Sequence, residues 1–330
     1  MASNIRLPFR ELFAHRARRA TQRTLTCVVI LALATAQRTS AQRVHVLIIT
    51  GLAGESQFQK PFLDAAATLA DSARKRWGVA DSSLIVLGED PVLDAKHIAA
   101  KSTREEVAKA FIALSHRVVP GDVLLVFLNG HGAGEGPQSR VNLPGPDPTA
   151  ADYASWISGF SKETVVFVNA ASASGDFVPV LAGSGRIIVT ATKTAIERNE
   201  VSFARPFVRG LTSGEADADK DGRVSVLEAF DYAKKEVSRM YEVDNRMLTE
   251  HAILSDTAAA RAVSFGAPRA ALDPRIMALM SERRDLESQV TALRAKKATM
   301  DSTAYSGELE RLLLLMAEKT QAIRAAGVKP

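Results

Sequence analysis

Five short runs dominated by valine, isoleucine and leucine recur along this chain, with stretches of helical spacing between most of them. The runs are "RVHVLIIT" (43–50), "SSLIVLG" (82–88), "DVLLVFLNG" (122–130), "TVVFVN" (164–169) and "GRIIVTAT" (185–192). Between them, 60–78, 103–118 and 149–159 carry apolar residues at intervals of three and four, and 203–211 opens a further helix. The segment 103–118 begins with Thr103 and Glu106 in capping-box spacing. A strand that is apolar at every position has no side to offer water, so both of its faces must be covered. Strands of that kind separated by helices build an α/β fold, a mainly parallel sheet with helices on both faces. Ligands of such sheets gather outside the carboxyl ends of the strands. The segments after Asn129 and Asn169 leave their strands at that end.

The formal charge of +5 invites a nucleic-acid partner, but it is concentrated at one end. Residues 1–41 hold seven arginines against Glu11 alone, a net of +6, which leaves −1 for everything after them. With no basic stripe interleaved with aromatics, no nucleic-acid partner is expected. The arginines run into "TLTCVVILALATA" (24–36), and small residues suited to a signal peptidase follow at Ala34 and Ala36, or at Thr39 and Ala41. This apolar run is shorter than the ~18 residues a membrane span needs. Residues 1–41 therefore read as a cleaved secretory signal, and the protein as exported, periplasmic or secreted, with no stable membrane span after cleavage. Cys27 is the single cysteine and lies inside the run, so the mature chain has no thiol, disulfide or cysteine nucleophile.

The sharpest local motif is "DADKDGRVSVLE" (217–228). Asp217, Asp219 and Asp221 stand at loop positions 1, 3 and 5, followed by glycine at 6, Arg223 at 7, Ser225 at 9 and Glu228 at 12, the spacing of an EF-hand calcium loop. Calcium wants several hard oxygen ligands, the glycine permits the turn, and Arg223 contributes only its carbonyl. Ca2+ is the expected cofactor. Phe203, Phe207 and Leu211 before the loop, and Val226, Phe230 and Val237 after it, supply apolar helical faces. A single EF-hand suits a structural site better than a sensor.

Residues 273–330 change character. Ile276, Leu279, Leu286, Val290, Leu293 and Met300 follow 3-4 spacing with Arg283 and Lys297 at seam positions, and a second run carries Tyr305, Leu309, Leu312, Met316 and Ile323. With "DSTAYSG" (301–307) between them, these runs read as a C-terminal helical hairpin of coiled-coil type, packing on itself or mediating self-association or capture of a protein partner.

Other motifs fail on chemistry. "GLAGES" (51–56) lacks the lysine of a phosphate loop, "GHGAGEG" (130–136) opens no helix, and the histidines show no paired metal spacing. His131 nevertheless stands between two glycines just after a strand. About forty residues on, "TVVFVNAASASGDF" (164–177) turns sharply through Ser172 and Ser174 to Gly175. Together these segments resemble the caspase/legumain-like (C13-type) cysteine peptidases over roughly 43–255, and "ITGLAGE" after the first strand is similar to the start of bacterial legumain-like domains. The resemblance implies a caspase-like α/β core at 42–202, completed by 203–272. It matches His131 and Gly132 to the histidine motif and Ser174 and Gly175 to the tail of the nucleophile motif. Ser172 then stands where the cysteine belongs, with Asn169 and Ala170 near the place of an acidic residue. The expected function is an exported, calcium-binding non-peptidase (a pseudoenzyme) serving binding or scaffolding; the alternative is a hydrolase using Ser172 and His131. A serine needs a hydrogen-bonded base and an oxyanion hole where a cysteine is already partly thiolate. Backbone donors for such a hole are expected around 172–175, and no acidic orienter for His131 is identifiable.

Overall fold

Strand β1 (Val44–Thr50) carries the logic of the whole sheet: Val46 and Ile48 enter one apolar cluster and Leu47 and Ile49 the other, all with no exposure. The computed structural model describes residues 43–266, 274–297 and 299–326, so the signal segment read at 1–41 lies outside the described residues. The further strands are β2 (Leu84–Gly88), β3 (Ala100–Lys101), β4 (Val123–Asn129), β5 (Gly132–Ala133), β6 (Arg140–Val141), β7 (Thr164–Asn169), β8 (Arg186–Thr190), β9 (Val224–Ser225), β10 (Ile253–Leu254) and β11 (Ser264–Phe265). Seven of them form one sheet in the order β10-β8-β7-β4-β1-β2-β3. Every pairing in it is parallel except β10 with β8. The five expected runs are its five long strands.

Helices α1 (Ser56–Lys75), α5 (Ala204–Ser213) and α6 (Val226–Val243) cover one face, burying Leu69, Phe207 and Val237 against Val46, Ile48 and Phe127. Helices α2 (Arg104–Ser115), α3 (Ala150–Ile157) and α4 (Phe177–Leu181) cover the other. There Tyr153 packs its ring 5.4 Å from Phe167 and 5.9 Å from Phe177, all three fully buried. Burial of each such ring contributes about 1.5–3 kcal/mol. The Thr103 cap is half of the expected box: its hydroxyl accepts the Glu106 N–H at 3.3 Å, while the Glu106 carboxylate turns outward to Lys109 at 2.6 Å.

Two helices follow α7 (Thr257–Ala262): α8 (Pro274–Ala295) and α9 (Ser302–Ala325). They share a cluster of Val290, Leu293 and Leu312, with Leu286, Tyr305, Leu309 and Met316 against it, and Lys319 bridges to Glu282 at 2.8 Å. Arg283 is buried, as its seam position requires, and the Lys297 ammonium lies 5.9 Å from the Tyr305 ring centre. The break lies earlier than the 301–307 read from the sequence, since α8 ends at Ala295 and 302–307 are helical. Asp301 accepts the N–H groups of Thr303 and Ala304, both at 3.0 Å, and this cap starts α9 at Ser302. No helix among the described residues is long and apolar enough to cross a membrane.

Candidate functional site

Strands β4 and β7 lie side by side with Leu128 opposite Asn169, so the segments leaving their carboxyl ends meet. Gly132 and Ser172, distant in sequence, are brought into hydrogen-bond contact: the Gly132 N–H donates to Ser172 Oγ at 3.1 Å. A β-carbon on Gly132 would collide with the Ser172 carbonyl oxygen, and one on Gly175 would collide with the backbone of Lys193. The glycines after His131 and Ser174 are therefore demanded by close backbone approach.

The turn itself is closed by its own bonds. Asn169 Oδ1 accepts the Ala171 N–H at 3.1 Å, and the Glu197 carbonyl accepts the Ala173 N–H at 2.8 Å. Thr192 Oγ1 accepts from both Ser174 and Gly175, at 2.7 and 3.1 Å. Ala173 holds φ of 50°, a left-handed conformation that costs a non-glycine residue about 1–2 kcal/mol. Of the donors expected around 172–175 for an oxyanion hole, the N–H groups of Ala173, Ser174 and Gly175 are engaged in building the turn. The donor that faces the Ser172 hydroxyl is the Gly132 N–H, which sequence reasoning missed because it belongs to the other strand's loop.

His131 has an orienter, and it is backbone. Its Nε2 lies 3.1 Å from the Ala53 carbonyl oxygen. A carbonyl only accepts, so Nε2 carries the hydrogen and the neutral ring keeps its lone pair on Nδ1. The Ala53 loop is fixed in turn by Gly51 N–H to the Asn129 carbonyl at 2.8 Å and Ala53 N–H to Glu89 at 3.1 Å. The imidazole packs edge-on to Phe58, centres 4.7 Å apart, and 5.3 Å from Phe62. Among the described residues no hydrogen bond joins His131 to Ser172. Both line a cavity of about 170 Å³ together with Phe58, Phe62, Asn129 and Met240.

One wall of that cavity is the segment leading into α5, and Glu250 holds it. This side chain is buried, and its two oxygens accept the Ser202 N–H at 3.0 and 2.8 Å. Burial pushes its carboxyl up to about 7 despite those bonds. Nothing in the sequence signals this clamp.

The 217–228 segment follows α5 and runs into the first turn of α6. Carboxylate oxygens of Asp217, Asp219 and Asp221 all lie within 4.8 Å of one another. Asp217 Oδ1 is buried without a hydrogen-bond partner, while Oδ2 accepts the Gly222 N–H at 2.9 Å. Burial raises the Asp217 carboxyl above its ordinary range, and repulsion from Asp221, Glu228 and Asp219 adds to the rise. Glu228 spans the loop, accepting Ala218 and Asp219 N–H on Oε1 and forming a complete capping box with Ser225 on Oε2. Arg223, within the loop, bonds its guanidinium to the Ser264 carbonyl, and its next residues pair as β9 with β11. Crowded hard oxygens and an orphaned buried one are what a hard divalent cation would satisfy, so the residues fit calcium.

No protein-family model matches this sequence, and no curated protein matches it.

Proposed function

We propose that the chain is an exported, calcium-binding domain of caspase/legumain-like type that binds without cleaving. The order of the long strands, with Gly132 bonded to Ser172 beyond the ends of β4 and β7 and His131 lining the same cavity as Ser172, supports the family reading. The observation that carries the non-hydrolytic reading is the state of Ser172: its Oγ accepts from Gly132, and among the described residues no base is bonded to it. General-base assistance is worth roughly 10²–10⁴-fold and a lost oxyanion donor about 10²–10³-fold. A serine lacking the first is a weak nucleophile. Asp217, Asp219, Asp221, Ser225 and Glu228 with the Arg223 carbonyl would hold calcium, which supplies the positive charge that relieves their repulsion and ties α5 to α6. The α8–α9 pair is the part suited to self-association or a protein partner; sedimentation with and without residues 273–330 tests this, and unchanged mass and partner capture would remove it.

A specific observation favours the second reading, a serine hydrolase. The Ala53 carbonyl holds His131 with Nδ1 as the acceptor, the form a general base needs. Incubation of mature protein with a diverse peptide library, with and without calcium, separates the readings. Cleavage lost in both Ser172→Ala and His131→Ala would establish the hydrolase.

A further inference from the structure

The residues of 217–228 that would hold calcium also join the loop to a later part of the chain. Arg223 and Ser225 stand on either side of Val224, and Val224–Ser225 is strand β9. It pairs antiparallel with β11, Ser225 opposite Ser264 and Val224 opposite Phe265. The Val226 N–H extends this seam, donating to the Val263 carbonyl at 2.9 Å, and the Arg223 guanidinium donates to the Ser264 carbonyl. Side chains close the joint. Phe265 is 2% exposed, its ring centre lies 4.8 Å from that of Trp77, and it shares an apolar cluster with Val224, Val226 and Val263. Arg261 and Ser264 line one cleft with Asp219, Asp221 and Glu228.

We infer that β11 is the partner strand of the calcium loop, so that calcium binding and the docking of 257–266 strengthen one another. This coupling rests on the calcium binding proposed above and names what that site regulates. Its basis is shared backbone. The Arg223 carbonyl and the Ser225 side chain are expected ligands, and pairing with β11 fixes the main chain of the same stretch. Whichever event comes first removes freedom that the other would have to remove, and the factor is equal in both directions. Repulsion among Asp217, Asp219 and Asp221 opposes the compact loop that sets β9 in register, and a cation relieves it. A two-residue pairing is too short to be firm by itself, so it can respond to its neighbour. Since α8 is the next helix in the chain after β11, the coupling gives the calcium loop a hold on where the C-terminal helical pair begins.

The Arg223 side chain is the discriminating position. It is a positioning group here, since only its carbonyl is an expected ligand. A positive charge beside a cation site repels the cation, so electrostatics alone predicts that Arg223→Met binds calcium more tightly. Loss of the bond to Ser264 predicts the reverse.

The test is hydrogen exchange, read by peptide mass spectrometry on the full mature chain, with calcium chloride or with chelator, beside calorimetric titration of calcium. Calcium should slow exchange in 257–266 about tenfold more than in the β2–β3 segment at the far edge of the sheet. Arg223→Met and Phe265→Ala should each weaken calcium binding about fivefold or more, and Arg223→Met guards against a Phe265→Ala protein that does not fold. Calcium that binds the wild type without favouring 257–266, or that binds Arg223→Met as tightly as the wild type or more so, would overturn the coupling and leave the calcium site standing. No calcium binding by the wild type would overturn both.

Discussion

The turn at 169–175 and the loop at 217–228 are both rich in hydrogen-bonding groups, yet they are finished to different degrees. In the turn, the N–H groups of Ala171, Ala173, Ser174 and Gly175 all have partners within the protein, while Asn169 Nδ2, a neutral donor, is buried without one. In the loop, three carboxylates crowd within 4.8 Å and Asp217 Oδ1 is buried without one. A satisfied polar network is rigid and asks for nothing further, whereas an unsatisfied anionic one is stable only with a counter-charge. The difference separates a turn whose backbone is bonded from an anionic loop that a bound cation would relieve.

The largest effect that could break this contrast comes from the turn. Gly132→Ala should lower stability by about 3 kcal/mol or more, because its β-carbon meets backbone at the Ser172 carbonyl and no side chain can swing aside. Chemical denaturation of the two proteins checks it. A variant as stable as the wild type would mean the loops of β4 and β7 do not lie this close.

Calcium tests the loop. Binding only to the folded state should add about 2.7 kcal/mol at a hundredfold excess over Kd, a rise of roughly 5–10 °C in Tm. Glu228→Gln should lose most of that rise. A calorimetric trace unmoved by calcium or chelator would leave the loop an acidic cap and erase the contrast.

Glu250 sharpens the comparison, since it is a buried carboxylate on the turn's side of the molecule. Its carboxyl is raised to about 7 from the ordinary 4.5, so the folded state holds this proton more tightly than the unfolded chain. Its contribution is whole below about pH 4.5 and is lost as pH rises through about 7, on the order of 3 kcal/mol across that window. Glu250→Gln should flatten this segment of the stability-against-pH curve. An unchanged slope would show that Glu250 titrates normally.

The smallest effect is the most pointed. Ser172→Ala removes one hydrogen bond from Gly132 and should cost about 1 kcal/mol in a denaturation curve. A loss several times larger would mean that Ser172 belongs to a network beyond that bond.

How much of this was legible in the sequence follows from where each feature's partners lie. The five long strands were readable because β-branched runs buried on both faces need only themselves and their length. The clustering of Asp217, Asp219 and Asp221 was readable because the three fall within five residues of one loop. The positions of His131 and Ser172 were readable as motifs, but their relationship was not. The Ala53 carbonyl that orients His131 and the Gly132 N–H that faces Ser172 are backbone groups on other loops, which leave no residue-type signature. Glu250 escaped for the same reason: it caps Ser202 from 48 positions away. The Glu106 carboxylate, expected in a capping box, found Lys109 one turn along, a competition the spacing alone does not decide.

The central claim is that Ser172 stands in a catalytic position without doing catalysis. Peptide hydrolysis by the purified mature chain, measured in calcium beside Ser172→Ala and His131→Ala, tests it most directly. The account predicts that all three proteins give the same background rate. A wild-type rate well above that background, abolished by either substitution, would contradict it.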